Sequence, residues 1–323
     1  MMSKRRIIFI PQYPAKLRYQ EWWITEFEKH LSQEFEVLTL KGSNTTSETR
    51  KGQFSPINAA IDWELEQIKQ YMSLELRTGD ILLFNDISFP GFFAQALYHK
   101  KPFRVYAICH ATSLNYLDYF SRSSYSKSFV EGANIKYLDG LIVGSQYHKR
   151  KLQKELLVPH STPIHVLQLP FPPIKYQSNL SPENRTNYLV SVARDCSQKV
   201  DFIFERLIKN NFACGITLPG EKDLISWQTY YHFLQNSSFM VITSKEETFG
   251  YQIIDAYLNG VIPIAPRRYS YPELLSKHCL YHPGNITDFK LKIIEASVHD
   301  YDSLFLFNKE ETFYDNLIKI LNQ

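Results

Sequence analysis

The sequence predicts an α/β protein made of two doubly wound, Rossmann-like domains with an interdomain cleft. Three observations carry this. Apolar, strand-like runs alternate with segments of helical spacing through both halves of the 323-residue chain. The alternation breaks once, at the Pro-rich Leu169-Pro-Phe-Pro-Pro173 and the polar stretch that follows to Asn187. The runs are continuously apolar, as strands are when a parallel sheet is covered by helices on both faces. Ligands of such sheets collect at the carboxyl ends of the strands.

In the first half the expected strands are Arg6 to Ile10, Phe35 to Leu40, Asp80 to Phe84, Phe103 to Cys109, Gly140 to Val143 and Ile164 to Leu167. Between them, Gln20 to Ser32, Ile57 to Leu76, Gly91 to His99, Ser126 to Leu138 and Ser145 to Leu156 have helical spacing, several with Ser, Asn or Gly at their ends. After the break come strand Tyr188 to Val192, helix Ser197 to Asn210, strand Ala213 to Leu218, helix Ser226 to Asn236 and strand Phe239 to Thr243. Helix Gly250 to Asn259, strand Val261 to Ala265, a short strand at Cys279 to Tyr281, helix Thr287 to Ser297 and a helix-like end, Glu311 to Gln323, complete the pattern. The expected domains are residues 1–170 and 171–310, with 311–323 crossing back to the first.

Composition sets limits. With 44% apolar and 21% charged residues the chain is of ordinary globular character. The apolar run near the amino terminus is too short for a signal peptide or a membrane span, which suggests an intracellular, cytoplasmic protein with no integral membrane association. Cys109, Cys196, Cys214 and Cys279 have neither CxxC spacing nor paired histidines nearby, so they suggest buried thiols rather than a zinc site or disulfides. The net charge of +3 is unevenly spread: 21 basic minus 16 acidic residues gives +5 for residues 1–170, and 15 minus 17 gives −2 for the rest. A basic first half suits an anionic acceptor, although most charges merely solvate a surface.

The most informative stretch is Ser244-Lys-Glu-Glu-Thr-Phe-Gly-Tyr-Gln-Ile-Ile-Asp255. It passes from an apolar strand into an amphipathic helix, with Glu247 and Asp255 bracketing the turn. Gly250 stands at the helix entry, where free N–H groups and the helix dipole favour a phosphate or a polar sugar. Three more groups join it. Arg194 and Lys199 stand at another strand-to-helix junction and suit a diphosphate. His110 ends the strand Arg104 to Cys109. Arg18, Tyr19, Trp22 and Trp23 form an aromatic and basic group near a helix start. Taken singly, the histidine could be structural, the cations solvated and the tryptophans core.

Their order resembles the retaining GT-B glycosyltransferases of the group 1 family, which includes bacterial mannosyl- and glucosyltransferases and relatives of sucrose and glycogen synthases. The resemblance is strongest over residues 187–276. The family's Arg-x4-Lys is met by Arg194 and Lys199, its Glu-x7-Glu by Glu247 and Asp255, and its Phe-Gly pair by Phe249 and Gly250. Asn259-Gly-Val-Ile-Pro-Ile-Ala265 matches the strand that follows. In the first half, Tyr137 to Arg150 is similar to the family's last strand of that domain, where a Ser, here Ser145, begins a helix. His110 falls at the family's active-site histidine. The Gly-rich loop after the first strand is replaced by Pro11-Gln-Tyr-Pro-Ala-Lys16.

The resemblance implies a division of labour. Arg194 and Lys199 neutralise the donor diphosphate with backbone N–H groups around Gly250 and Tyr251, and Phe249 belongs to the same donor-binding turn. Asp255 binds the ribose hydroxyls and Glu247 the sugar hydroxyls. His110 contacts the sugar from the other domain, and Trp227 lies near the base. The donor is a nucleotide-diphosphate sugar, UDP- or GDP-hexose, and the anomeric configuration is retained. Fixed cations and oriented backbone dipoles can stabilise a departing diphosphate without a cofactor or metal. The lone Asp-x-Asp, Asp300-Tyr-Asp302, follows a helix rather than a strand end.

For the acceptor, the basic first half, the group Arg18, Tyr19 and Trp22, and the Lys149-Arg-Lys151 run favour nucleic acid, DNA or tRNA, since aromatic and cationic side chains stack on bases and track phosphates. The chain is similar to phage-type enzymes that glycosylate hydroxymethylated DNA bases, which would place it in a host cytoplasm. Its Arg267-Arg-Tyr-Ser-Tyr-Pro-Glu273 segment is similar to part of the enzymes that mannosylate queuosine in tRNA. Two alternatives stay open: an enzyme of surface-glycan synthesis, and an inactive nucleotide-sugar-binding module of the same fold.

Overall fold

The computed structural model describes residues 4–14, 19–42, 57–87, 103–115, 125–155, 162–173, 185, 187–191, 200–212 and 227–323. Two parallel sheets organise them. The first has six strands in the order β2-β1-β3-β4-β5-β6: β1 (Arg6–Ile10), β2 (Glu36–Thr39), β3 (Ile81–Phe84), β4 (Arg104–Cys109), β5 (Gly140–Val143) and β6 (Ile164–Val166). The second runs β10-β9-β8-β7: β7 (Asn187–Val190), β8 (Ser237–Val241), β9 (Ile262–Pro266) and β10 (Leu280–Tyr281).

The continuously apolar strands behave as a two-sided core requires. Ile7, Phe9, Ile81, Leu83, Tyr106, Ile108 and Ile142 pack on one face of the first sheet. Their neighbours Ile8, Ile10, Leu82, Phe84, Val105, Ala107, Cys109, Leu141 and Val143 pack on the other. Successive side chains of a strand leave on opposite sides, so both sets must be apolar when both faces are covered. The first of these clusters runs without a break into the core of the second sheet.

That continuity passes through helix Gln20–Leu31 and helix Phe313–Leu321. Trp23 and Phe27 pack against Phe313 at 6.4 and 5.5 Å between ring centroids, and Tyr314 meets Phe27 at 5.3 Å. The end of the chain therefore lies on the first helix. Trp22 and Trp23, adjacent on their helix, are both buried, at 7% and 0% exposure, because this helix is covered on two sides rather than one.

Several boundaries differ from the sequence pattern. The helix expected to reach Leu76 ends at Met72. The helix expected from Ser197 begins at Phe202, because the Asp201 side chain accepts the Phe204 N–H as its N-cap and Val200 is held in an isolated bridge to Ser244. The expected elements Gly91 to His99 and Ala213 to Leu218 lie outside the described residues. Cys109 and Cys279 are buried free thiols, while Cys196 and Cys214 lie outside the described residues.

Candidate functional site

The carboxyl ends of β4, β5, β8 and β9 meet at one junction, built around the turn Ser244–Tyr251. Gly250 takes φ of 96°, a left-handed conformation that costs glycine little, and it starts helix Tyr251–Leu258. Opposite, Gly144 follows β5 so closely that an added Cβ would lie 2.7 Å from the Phe249 ring. Phe249, 4% exposed, is thus a wedge between the halves, not a side chain offered to a ligand.

Hydrogen bonds tie the turn to the first half at several points. The Thr248 hydroxyl donates to the His110 carbonyl at 2.7 Å, and the Ser145 hydroxyl donates to the Thr248 carbonyl. Ser145 also caps helix Gln146–Glu155, accepting the His148 N–H at 3.0 Å. The Tyr251 hydroxyl accepts the Trp23 indole N–H and donates to the Pro170 carbonyl, both at 3.1 Å. Its ring stacks on Tyr19 at 5.0 Å. The Tyr251 side chain therefore belongs to the wall between the halves.

His110 sits at the end of β4 against Tyr19 and Trp23, with centroids at 5.2 and 4.7 Å. Burial depresses its pKa to about 4, although its bond to the Asn85 carbonyl works the other way. That carbonyl, 3.0 Å from Nε2, can only accept. The imidazole is thus neutral near pH 7 with its proton on Nε2, and Nδ1 presents a lone pair. The side-chain oxygen of Asn85 is itself buried with no hydrogen-bond partner among the described residues.

Glu247 is partly exposed. Its Oε1 accepts the N–H groups of Thr248 and Phe249 at 3.0 and 3.4 Å, which orients the carboxylate. Asp255 is 8% exposed. The Tyr230 hydroxyl donates to its Oδ2 at 2.7 Å and the Tyr231 hydroxyl to its Oδ1 at 3.2 Å. Burial raises its pKa to about 6 in spite of these two donors. Trp227 packs edge-on to Tyr230 at 5.8 Å, forming an aromatic group beside this carboxylate. Sequence pattern indicated Asp255 but gave no sign of its tyrosine partners.

Arg194, Lys199 and Arg18 lie outside the described residues. Of the aromatic group, Tyr19 packs on both His110 and Tyr251, whereas Trp22 is buried and meets Tyr251 edge-on at 6.3 Å. As an acceptor contact, Trp22 has almost no surface to offer. The Lys149-Arg-Lys151 run meets partners within the protein. Lys149 donates to the Ile164 carbonyl at 2.9 Å, Arg150 pairs with Glu273 at 3.3 Å, and Lys151 pairs with Glu246 at 2.6 Å. A run of cations on a helix points round its axis, and here each finds an acceptor in the protein.

Glu273 further accepts the N–H groups of Gln146 and Tyr147, both at 2.6 Å, so a carboxylate from the second half caps a helix of the first. In the same Arg267–Glu273 segment Tyr269 has φ of 59°, and Arg268 lies 5.0 Å from its ring centroid. A non-glycine residue in this conformation marks local strain. Glu246 and Thr248 lie in the stretch that the sequence singles out and Glu273 ends the Arg267 segment, but no sequence signal showed their contacts across the junction.

No family model matches the chain, and no curated protein matches it in sequence. Solved structures do match in fold. Sucrose-phosphate synthase from Thermosynechococcus elongatus superposes with a TM-score of 0.64 at 14% identity, covering 99% of this chain and 94% of the other. An alpha-glucosyltransferase in complex with UDP and a 13-mer DNA containing an HMU base gives 0.60 at 14%, covering 99% and 100%. A glycosyltransferase from Rickettsia africae ESF-5 gives 0.58 at 15%, covering 99% and 98%. The chain has the GT-B fold.

Proposed function

We propose that this chain is a metal-independent, retaining glycosyltransferase that moves a hexose from a UDP- or GDP-hexose to an acceptor hydroxyl. One observation carries the reading: the Thr248 bond to the His110 carbonyl joins a neutral imidazole at a strand end of the first sheet to the Glu247 turn beyond a strand of the second. The GT-B likeness and the UDP held by a solved structure of that fold support a nucleotide donor. Residues 1–170 would form the acceptor-side domain and 171–310 the donor-side domain.

The residues then take these roles. Glu247, with Oε1 anchored by two N–H groups, accepts from hydroxyls of the transferred sugar through Oε2. His110 accepts a sugar hydroxyl at Nδ1. Being neutral, it does not repel the positive charge that develops on the sugar ring, as an imidazolium would. Arg194 and Lys199 hold the diphosphate as its charge grows, with the N–H groups of Gly250 and Tyr251 at the helix start. Asp255, with Tyr230 as its partner, meets the ribose. Closure of the cleft over the bound donor would exclude water and so limit hydrolysis.

The acceptor we favour is a modified nucleic-acid base, a hydroxymethylated DNA base in particular. Support comes from the likeness in fold to the alpha-glucosyltransferase bound to DNA, which extends over 99% of this chain and 100% of the other. A base in a duplex would have to be flipped out to reach the cleft. One observation favours a second class, a glycan: the engagement of Lys149, Arg150 and Lys151 within the protein withdraws part of the basic surface.

The test is nucleotide release from UDP- and GDP-hexoses, with hydroxymethylated DNA, tRNA and simple glycans as acceptors. Release that depends on modified DNA supports the reading, and a glycan product alone moves the acceptor to the second class. Donor binding without turnover indicates an inactive binding module. Neither binding nor release with any donor discards the proposal.

A further inference from the structure

We propose that Glu246, the neighbour of Glu247, is a positioning residue that locks the His110–Asn115 loop of the first half to the Glu247 turn of the second. The inference rests on the reaction assigned above for its consequence, but not for its geometry. Glu246 is 6% exposed and its Oε1 reaches across the junction, where it accepts from Lys151 Nζ at 2.6 Å and from Asn115 Nδ2 at 3.3 Å.

Asn115 is the link to the loop. Its Oδ1 accepts the Thr112 N–H at 2.8 Å, and its own N–H returns to the Thr112 carbonyl at 3.0 Å. Two residues before Thr112, the His110 carbonyl accepts the Thr248 hydroxyl. A closed ring of contacts thus runs from Glu246 through Asn115, Thr112 and His110 to Thr248, and Glu247 is the residue that completes it. Neither His110 nor Glu247 can shift against the other without breaking a member of this ring.

The ion pair itself is a poor source of stability. Both side chains, 9% and 8% exposed, have been taken out of water, and that loss offsets much of their attraction. What the pair supplies is orientation. Lys151 holds the carboxylate in place, and the carboxylate presents an oxygen to Asn115. Small errors in the placement of reacting groups cost large factors in rate, so the locked loop acts on turnover more than on donor binding.

The experiment compares the native full chain with Glu246→Ala, Glu246→Gln and Asn115→Ala, by hydrogen exchange without ligand and by donor kinetics. In Glu246→Ala the amides of residues 112–115 should exchange about tenfold faster or more, with the β3 and β4 amides unchanged. Its kcat should fall about 10- to 100-fold with donor KM within about threefold. Glu246→Gln keeps an acceptor for Asn115 and should recover most of both losses. If Glu246→Ala exchanges globally, Asn115→Ala decides, because it cuts the same link without uncovering a charge. Unchanged loop exchange in that variant, a rise in KM alone, or a Gln variant no better than Ala overturns the proposal. Faster loop exchange in a chain that turns over no nucleotide sugar discards the reaction and keeps the lock. Unchanged loop exchange in an active chain discards the lock and keeps the reaction.

Discussion

The hydroxyl of Thr248 lies 2.7 Å from the carbonyl oxygen of His110 and donates to it, joining a turn of the second sheet to a strand end of the first. Thr248→Val keeps the shape and removes the donor. A hydrogen bond of this kind contributes about 1 kcal/mol net, so kcat for sugar transfer should fall by about fivefold, with a loss of stability of about 1 kcal/mol. Steady-state turnover and the urea midpoint measure the two effects. Unchanged kcat would mean that the link does not order the site.

Among the described residues, the Glu247 side chain hydrogen-bonds to two N–H groups of its own turn. Glu247→Ala should reduce transfer by roughly a thousandfold or more, while thermal unfolding stays close to that of the native chain. Turnover near the native rate would remove Glu247 from the site.

His110 makes stability depend on pH in one direction. Its pKa is about 4 in the fold against 6.5 when free, so between those values the unfolded chain binds a proton that the folded chain does not. Its contribution is full above pH 6.5 and is lost as pH falls toward 4, by an amount on the order of 3 kcal/mol. Urea unfolding at pH 7 and pH 4.5 should show this loss in the native chain relative to His110→Asn. An equal pH dependence in both proteins would contradict the buried neutral ring.

Asp255 works in the opposite direction. Its pKa of about 6 exceeds the free value of 3.8, so the folded chain holds the extra proton between them. The contribution is full below 3.8 and disappears as pH rises through 6, again on the order of 3 kcal/mol at most. The two groups oppose each other where their windows overlap, which flattens the native curve. Asp255→Asn should expose the His110 dependence, with a steeper loss of stability on acidification than the native chain. A curve that is unaltered in this variant would rule out a titrating Asp255.

Gly144→Ala probes the fit of the halves. A Cβ there would lie 2.7 Å from the Phe249 ring, tighter than packed atoms tolerate. We expect a loss of about 1–3 kcal/mol and a weakened junction, read as a lower unfolding midpoint together with reduced transfer. An unchanged midpoint would show that Phe249 can swing clear.

The opposed contacts at Glu246, Thr248 and Glu273 explain why the sequence was only partly legible. Glu247, Phe249 and Gly250 stand out because a strand, a turn and a helix start impose their own local pattern. Glu246 looks like any other charged residue beside them. Its meaning lies in Asn115 and Lys151, 131 and 95 positions away. The same holds for Asp255, whose tyrosine partners are 25 and 24 positions earlier. The Lys149-Arg-Lys151 run was legible as charge but its partners were not, since composition registers charge but not what it pairs with.

By itself the sequence determined the two parallel sheets, because buried strands need apolar side chains on both faces and helices need a 3.6-residue period, and both requirements are local. It also marked the strand-to-helix turn at Glu247. Only the tertiary structure decided which residues face each other across the junction, that Trp22 is enclosed and that each cation of the basic run meets an acceptor in the protein. Those outcomes depend on how two separately patterned halves meet, and contacts between distant segments leave no periodicity in a single chain.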